Sequence, residues 1–309
     1  MILHTGNRTD LPAFYAPWLR RRLEAGFVLA RSPYRPSDVI RYRLTPDLVD
    51  LLVFCTKNPA PMLAHWDVLA PYGQYWFVTI TPYGPEIEPN VPPPGHVIRT
   101  FQALSRLTGP DAVAWRYDPV FLSPDYPLER HLADFSAMAR QLAGYTHTCV
   151  ISFIDLYAKV RRSFPELRAV GARDRITLGR ELARIASSCG MTLKACAEGG
   201  DLAPFGVDCS GCMTVEVFER ALGARLTPPR LPASRSQCAC YLGCDIGEYD
   251  TCAHFCRYCY ANHSPEIVRK RRLLHDPASP LLIGQIGPGD QIRDAVQESW
   301  LDRQMRFPI

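Results

Sequence analysis

Three cysteines near the end of the sequence have the spacing of ligands to a metal–sulfur centre. Cys252, Cys256 and Cys259 lie in the stretch 252–262, CAHFCRYCYAN. Thiolates are soft ligands that select iron–sulfur clusters, zinc or copper(I) over hard cations. A cubane cluster takes four ligands, so three cysteines leave one iron open to another group. The spacing therefore predicts a four-iron cluster with one open iron; a zinc knuckle or a set of buried structural thiols is the alternative.

The residues around these cysteines resemble the signature of the radical S-adenosylmethionine enzymes. Tyr258 before the third cysteine, and residues 260–262 (YAN) after it, are similar to the spore photoproduct lyase branch. The resemblance implies a 4Fe-4S cluster on the three cysteines, with S-adenosylmethionine bound at the open iron. It also implies reductive cleavage to a 5′-deoxyadenosyl radical that abstracts hydrogen from a substrate. The electrons would come from a donor such as a flavodoxin or a ferredoxin.

The other cysteines are crowded into the same part of the chain. Nine of the twelve lie between Cys196 and Cys259, more than one three-cysteine cluster needs. The N-terminus has no export signal, so we expect a cytoplasmic location, where such density indicates metal binding or catalysis rather than disulfides. We predict a second, structural or electron-relaying site that holds iron–sulfur or zinc; buried thiols without a metal are the alternative. Its predicted ligands are Cys196, Cys209, Cys238 and Cys240.

Apolar strands and amphipathic helices alternate along the first two thirds of the chain. The predicted strands include residues 51–55, 75–80, 112–116, 148–153 and 191–195, and the predicted helices include 97–107, 128–142 and 173–188. About six such repeats with strands of buried type predict a parallel sheet covered by helices. The sequence has neither GxGxxG nor a Walker motif. We therefore predict an α/β fold, a full or partial (β/α) barrel, with its chemistry at the carboxyl ends of the strands.

Polar side chains follow strand after strand at the point where each predicted strand ends. They are Arg8, Thr9 and Asp10; Thr56, Lys57 and Asn58; Thr79 and Thr81; Arg116 and Asp118; Asp155; and Glu198. Because the carboxyl ends of barrel strands meet, we predict that these residues share one pocket that faces the cysteines. For any single residue, such as Asp10, a helix cap is the alternative. Lys57, Arg116, Asp118 and Asp155 are predicted to be catalytic, and Thr56, Lys57, Asn58, Arg116 and Glu198 to bind the cofactor.

We predict two domains: a barrel-like domain over residues 1–205, and a cysteine-rich iron–sulfur segment over residues 206–309 that folds over the barrel mouth. An amphipathic helix is predicted over residues 291–305. No run of about 18 apolar residues is present, so no membrane partner is expected. The formal net charge of +4 is too small to indicate nucleic acid by itself, although residues 269–272 (RKRR) are basic.

Segments spread over nearly the whole chain resemble the family of the domain of unknown function 1848. They are residues 8–12 (RTDLP), 54–59 (FCTKNP), 115–119 (WRYDP), 152–155 (SFID) and 245–262. The resemblance implies a C-terminal cysteine cluster similar to that of the radical enzymes, and no known substrate. In the radical enzymes the cysteine loop follows the first barrel strand, whereas here it follows all the predicted strands. A circular permutation, or a C-terminal segment that folds back, would restore the geometry.

Another difference concerns S-adenosylmethionine binding. The glycine-rich segment usual after the second strand of the radical enzymes is replaced here by residues 56–58 (TKN), and a similar Thr-Lys pair occurs in the spore photoproduct lyase branch. Three function classes follow. The first is a radical S-adenosylmethionine-like enzyme acting on an unknown small-molecule or macromolecular substrate. The second is an iron–sulfur protein that transfers electrons or senses redox state, and the third is a zinc-stabilised nucleic-acid-binding module.

Overall fold

The computed structural model describes residues 1–230 and 238–302, and a seven-stranded parallel sheet forms its centre. The strands are β1 (Ile2–His4), β2 (Phe27–Arg31), β3 (Asp38–Arg43), β4 (Leu51–Thr56), β5 (Gly73–Thr79), β6 (Val113–Val120), β7 (Thr148–Phe153), β8 (Thr192–Ala195), β9 (Cys244–Asp245) and β10 (Gln291–Asp294). The order across the central sheet is β8-β7-β6-β5-β4-β1-β9. Strands that follow one another along the chain are therefore neighbours in the sheet, as in a barrel.

Helices pack on both faces of this sheet. They include α1 (Leu11–Phe14), α2 (Ala16–Ala25), α3 (Ala60–Leu63), α4 (Trp66–Leu69), α5 (Pro94–Thr108), α6 (Leu128–Leu142), α7 (Ala158–Ser163), α8 (Ala172–Ser188), α9 (Val215–Leu222) and α10 (Pro265–Arg272). In α6 the buried residues Phe135, Met138 and Leu142 recur at helical spacing. Phe135 stacks on Trp115 of β6 with ring centroids 4.6 Å apart. We call the layer that contains these residues the outer-face core.

The inner face of the sheet is filled over its amino-terminal half. Val217 and Phe218 of α9 are buried there, and the Phe218 ring lies edge-on to Tyr75 of β5, with centroids 5.5 Å apart. Tyr75 and Phe77 belong to this inner-face core, whereas Trp76 between them belongs to the outer-face core. Side chains alternate between the faces of a strand, so strands buried on both faces must be apolar at every position. That requirement explains the continuous apolar runs in the sequence.

A smaller sheet contains the strands β10, β3 and β2 in that order. β10 pairs in parallel with β3, and Arg41 Nη2 lies 2.9 Å from Asp294 Oδ2 across the pair. The predicted helix over 291–305 is therefore wrong for residues 291–302, which contain β10 and no helix, and residues 303–305 lie outside the described part of the chain. The reason is that β3 leaves an edge with unpaired backbone groups, and pairing with that edge outweighs the weak apolar periodicity of a short exposed segment.

The prediction of a mixed α/β fold with a parallel sheet and covering helices is confirmed. Among the described strands β8 and β9 form the two edges, so the sheet is open and does not close into a full barrel. β9 belongs to the predicted cysteine-rich segment, yet it pairs with β1 of the first predicted domain. The division at residues 205 and 206 stays a prediction. Within residues 1–230 and 238–302, no helix combines the length and apolar character that crossing a membrane requires.

Candidate functional site

The cysteine loop, residues 250–262, lies at the carboxyl ends of the central strands. It follows β9, and it is held from several sides by hydrogen bonds. Tyr15 Oη donates to the carbonyl of Thr251 over 2.8 Å, and Lys159 Nζ of α7 donates to the carbonyl of Tyr260 over 2.7 Å. Tyr260 Oη in turn donates to the carbonyl of Asn7, just after β1. The loop therefore reaches from the end of β1 to the helix that follows β7.

The loop also holds its own conformation. Asp250 and Phe255 have φ values of 59° and 56°, a left-handed backbone that residues other than glycine rarely adopt. Asn262 Nδ2 donates to the carbonyl of Cys252 over 2.8 Å, and the Ala261 amide lies 3.3 Å from Cys259 Sγ. Left-handed residues persist only where the surrounding structure fixes them. The three cysteines are thus presented by a loop with a defined shape.

All three loop thiols are partly buried and influence one another. Burial raises the pKa of the Cys252, Cys256 and Cys259 thiols. The neighbouring cysteines raise the pKa of Cys252 and Cys256 further, whereas the backbone amides of Ala261 and Asn262 act in the opposite direction on Cys259. For Cys256 the positive charge of Lys57 acts in the opposite direction. Thiols in such surroundings stay protonated unless a metal replaces their protons. The group is therefore suited to coordination rather than to acting as a free thiolate nucleophile.

The proline-rich loop, residues 83–93, holds the cysteine loop from the side of β5. The Arg257 amide donates to the carbonyl of Ile87 over 3.0 Å. Asn90 makes two such bonds, because its amide donates to the carbonyl of His254 over 3.2 Å and its Nδ2 donates to the carbonyl of Ala253 over 2.7 Å. These bonds join residues that are more than 160 positions apart in the sequence. The proline-rich loop is therefore an ordered part of the site.

Glu88 is the acceptor at the centre of this contact, and its side chain is 2% exposed. Its Oε1 accepts from Lys57 Nζ over 3.0 Å, from Thr81 Oγ1 over 2.7 Å and from the Tyr258 hydroxyl. Lys57 Nζ also lies 5.6 Å from the centre of the Tyr258 ring. Burial alone lowers the pKa of Lys57, but Glu88 and Cys256 together raise it above the ordinary value. A charged lysine is thereby held beside the cysteines.

Asp10 and His254 form a second buried link between a strand end and the cysteine loop. Asp10 Oδ1 accepts from the Ala13 amide over 3.0 Å, which makes Asp10 the N-cap of α1. Its Oδ2 accepts from the Lys57 amide over 2.7 Å and lies 2.8 Å from His254 Nε2. The same carboxylate therefore ties together the ends of β1 and β4 and the loop between Cys252 and Cys256.

Inside the sheet, Arg116 and Asp118 of β6 form an ion pair, and Ser152 of β7 donates to the other oxygen of Asp118. The guanidinium of Arg116 lies 5.3 Å from the centre of the Phe77 ring. Its Nε is buried without a hydrogen-bond partner in the described part of the chain. Such a group is costly unless a ligand satisfies it, so Arg116 is the clearest candidate for contact with a bound molecule.

Glu198 lies next to this pair, after β8. It accepts from the Phe153 amide over 2.7 Å and forms an ion pair with Arg175. Burial is the main cause that raises the pKa of Glu198 to about 7, with smaller contributions from Asp155 and Asp118, whereas the Phe153 amide and Arg175 act in the opposite direction. A carboxyl group with that pKa can hold or release a proton near neutral pH.

A second group of cysteines lies deeper, in the inner-face core. Cys212 Sγ and Cys240 Sγ are 3.3 Å apart, and Cys196 lies against both. Cys238 is buried and close enough for its charge to act on Cys240. Cys209 is placed elsewhere, because its Sγ lies 3.7 Å from the Val207 carbonyl and it packs on the outer-face core. Of the predicted set the structure brings together Cys196, Cys238 and Cys240, and it adds Cys212.

The remaining predicted site residues are dispersed around the strand ends. Thr56 Oγ1 accepts from the Asn58 amide over 2.9 Å, and Asn58 Oδ1 accepts from the Ala60 amide over 3.3 Å. Both side chains therefore order the turn before α3, and only Lys57 between them reaches the cysteine loop. Asp155 Oδ2 accepts from the hydroxyl of Tyr157 over 2.9 Å. Lys57 and Arg116 thus belong to two neighbouring groups, one around Cys256 and one around Asp118.

Several residues of the site were not predicted from the sequence: Glu88, His254, Ser152, Arg175, Asp245 and Cys212. Glu88 comes from a loop and pairs with residues up to 170 positions away, so its own neighbourhood gives no periodic signal. Asp245 of β9 pairs with Arg8, with Arg8 Nε 3.3 Å from Asp245 Oδ2, and burial raises its pKa. Its position at a strand end is the same signal that indicated Asp118, but a strand of two residues is too short to recognise.

The fit of a cluster to Cys252, Cys256 and Cys259 depends on geometry as well as donor type. In the part of the chain that the structure describes, no three His, Cys, Asp or Glu side chains stand as they would around a single metal ion. In a cubane each thiolate binds a different iron, so its ligands do not converge on one point. Three mutually interacting, partly buried thiols on one loop meet that looser requirement, with Lys57 beside them to offset negative charge.

Comparison with known proteins places the chain in a family. Residues 2–261 match the family described as a domain of unknown function (DUF1848). The chain matches none of the proteins of curated function with which it was compared. The matched region includes the whole central sheet and the three cysteines of the loop up to Ala261. Because the match covers most of the sequence, the chain belongs to the family of the domain of unknown function 1848.

Proposed function

We propose that this chain is an iron–sulfur enzyme of the radical S-adenosylmethionine type, in which the cysteine loop closes the carboxyl end of a barrel-like sheet. The observation that carries the proposal is the position of this loop directly after β9. β9 pairs in parallel with β1, with Leu3 opposite Cys244 and His4 opposite Asp245. Counted from β9, the cysteine loop would follow the first strand of the sheet, as it does in the radical enzymes that the loop resembles. A circular permutation thus accounts for the late position of the cysteines in the sequence.

Cys252, Cys256 and Cys259 would hold a four-iron cluster with one open iron. When bound and reduced, that cluster supplies the electron that cleaves S-adenosylmethionine and starts hydrogen abstraction. The three thiolates carry negative charge into a partly buried site, and the Lys57 ammonium offsets part of it. Glu88 keeps Lys57 and the Tyr258 ring beside the cysteines, because its Oε1 accepts from both. His254 and Asp10 fix the loop between the first two cysteines.

The inner residues at the ends of β6, β7 and β8 are suited to bind the organic partner of the reaction. Arg116 has a buried Nε to satisfy, and a guanidinium binds carboxylate or phosphate oxygens strongly. Asp118 and Asp155 would accept from hydroxyl or amino groups. Glu198, with its pKa of about 7, would hold or release a proton at its carboxyl oxygen. The substrate class therefore carries both an anionic group and hydrogen-bond donors.

The test is an anaerobic assay of the purified full chain with S-adenosylmethionine and dithionite, with 5′-deoxyadenosine as the product measured. The unsubstituted protein is expected to form 5′-deoxyadenosine, and Cys256→Ser is expected to abolish it. Cys189→Ser is the matched control, because Cys189 caps α8 on the outer face of the sheet and is expected to leave the yield unchanged.

The same assay separates the alternatives. Bound iron and sulfide with no 5′-deoxyadenosine would overturn the enzyme proposal in favour of an iron–sulfur electron-transfer or redox-sensing protein. Zinc without iron would instead favour a zinc-stabilised module. Addition of a reduced flavodoxin or ferredoxin in place of dithionite then tests whether a protein donor delivers the electron.

A further inference from the structure

We infer that Cys196, Cys212, Cys240 and Cys238 form a second metal site, separate from the cysteine loop, that binds a single zinc ion. The three sulfurs at its centre come from distant parts of the chain. Cys196 follows β8, Cys212 precedes α9 and Cys240 precedes β9. Cys212 Sγ and Cys240 Sγ are 3.3 Å apart, and Cys196 lies against both. Three thiols from three segments of the chain thus lie close together.

Backbone bonds fix the three segments relative to one another. The Cys196 amide donates to the carbonyl of Ile151 over 2.8 Å, which ties this residue to β7. The Tyr241 amide donates to the carbonyl of Met213 over 2.7 Å, so the residues after Cys240 and Cys212 are joined directly. The thiols are therefore held in place by a framework that does not depend on the thiols themselves.

A glycine and a buried lysine shape the loop that carries Cys212. Gly211 has φ +113°, and a Cβ on it would lie 2.8 Å from the side chain of Thr214 and 3.1 Å from Ala239. Lys194 Nζ donates to the carbonyl of Gly211 over 3.1 Å from beneath. The close approach of Gly211 to Ala239 brings Cys212 against the segment from Cys238 to Cys240, so the backbone is adapted to this contact.

The arrangement favours one ion over a cubane cluster. Four thiolates around zinc, each about 2.3 Å from the metal, stand about 3.8 Å apart in a tetrahedron. The observed 3.3 Å between Cys212 and Cys240 is close to that edge. Among the residues that the structure describes, no three ligand atoms are yet arranged around a single metal ion. Zinc binding therefore requires a small outward movement of the sulfurs and the loss of their protons. Thiolate-only sites with four ligands are typical of structural zinc.

The surroundings supply the charge that such a site needs. Four thiolates and one Zn²⁺ carry two net negative charges, which an apolar core does not tolerate alone. The Arg116 guanidinium lies close enough to Cys196 and Cys212 for its charge to interact with both. Cys238 completes the set, because it is buried and separated from Cys240 by one residue. Cys209 and Cys244 are excluded, because both pack on the outer-face core.

The site would join α9 and the segment before β9 to the sheet. It would therefore stabilise the packing of α9 on the inner face of the sheet. Arg116 lies close to Cys196 and Cys212 of the proposed zinc site and forms an ion pair with the Asp118 carboxylate. The zinc site is thus a structural support for the pocket, and it does not depend on whether the cysteine loop binds iron.

The test measures metal content of the full chain with Cys252, Cys256 and Cys259 all replaced by serine, so that iron of the cysteine loop does not interfere. We expect one zinc per chain. Addition of Cys212→Ser or Cys240→Ser is expected to remove it, whereas addition of Cys209→Ser is the matched control and is expected to retain it. Cobalt in place of zinc is expected to give the absorption of a tetrahedral thiolate site.

Because a substituted core can fail to fold, a second measurement uses the unsubstituted protein. Modification of its thiols by a mercurial, followed with a zinc indicator, is expected to release one equivalent of zinc. Absence of zinc in both experiments would overturn the inference, as would about four irons in the variant without loop thiols. A disulfide between Cys212 and Cys240 in the metal-free protein, detected by mass spectrometry of peptides, would also overturn it.

Discussion

Replacement of Glu88 by glutamine tests whether this carboxylate holds the pocket together. The substitution keeps the shape of the side chain but removes its charge. Lys57 would then be a buried ammonium without its counter-charge, since its Nζ lies 3.0 Å from Glu88 Oε1 and its side chain is 13% exposed. The hydroxyls of Thr81 and Tyr258, which now donate to the same oxygen, would compete for a weaker acceptor.

The expected cost follows from the burial of the pair. Removal of one partner of a buried ion pair costs about 3–5 kcal/mol, mainly because the other charge stays desolvated. Lys57 retains the ring of Tyr258 and a little solvent, so we expect the lower end, about 3 kcal/mol, in the free energy of unfolding. The double substitution Glu88→Gln with Lys57→Met also removes the unpaired ammonium charge, so it is expected to recover most of the lost free energy of unfolding.

The assay is equilibrium unfolding in urea at neutral pH, with Glu166→Gln as the matched control. Glu166 pairs with Arg257 on the surface and its side chain is 58% exposed, so solvent screens the pair and the control is expected to cost much less than Glu88→Gln. If Glu88→Gln costs no more than the control, the carboxylate is not the centre of the site. If the double variant loses as much free energy of unfolding as the two single variants together, the unpaired charge of Lys57 is not the cause of the instability.

Three further predictions concern other parts of the site. Folding raises the pKa of Glu198 from 4.5 to about 7, so the folded state binds this proton more tightly than the unfolded chain. The resulting stabilisation, up to about 3 kcal/mol, is present below pH 4.5 and is lost as the pH rises through 7. Glu198→Gln is expected to flatten that part of the stability–pH profile. Asp10→Ala is expected to cost about 2–3 kcal/mol in urea unfolding, because three donors lose their acceptor, whereas the exposed Asp111→Ala should cost under about 1 kcal/mol. Gly211→Ala is expected to lower both thermal stability and zinc content, whereas Gly190→Ala, where a Cβ meets nothing within 4 Å, should leave zinc content unchanged; equal zinc in both variants would contradict the role given to Gly211.

Much of the fold could be predicted because the central strands are buried on both faces. Residues 51–55 are apolar throughout, residues 148–153 and 191–195 are mostly apolar, and the helices between them are amphipathic. Such runs give a signal that does not depend on distant residues. β9 and β10 could not be predicted in this way. Each is short, and each exists because a neighbouring strand, β1 or β3, offers a free edge.

The three loop cysteines can be predicted from their spacing alone, and Lys57, Arg116 and Asp118 can be predicted because each stands at the end of an apolar run. Glu88 and His254 come from irregular loops, and their partners are as many as 244 residues away. Nothing local marks such residues, since the contact itself is the only reason for their position.

The choice between Cys209 and Cys212 shows a different limit. Both follow β8 within a short irregular segment, and the spacing of cysteines does not state which face of the sheet each one reaches. The left-handed turn at Gly211 separates them, so Cys212 enters the inner-face core and Cys209 stays on the outer-face core. A glycine between two cysteines is the only sequence signal of that change in direction.

The most direct test of the central proposal is the iron content of the anaerobically reconstituted protein together with its electron paramagnetic resonance spectrum. The account predicts about four irons that depend on Cys252, Cys256 and Cys259, and a spectrum of the reduced cluster that changes when S-adenosylmethionine is added. Unchanged iron content in the triple serine variant would contradict the assignment of the cluster to the cysteine loop. A cluster on these cysteines whose spectrum does not change when S-adenosylmethionine is added would contradict the proposal that S-adenosylmethionine binds at the open iron.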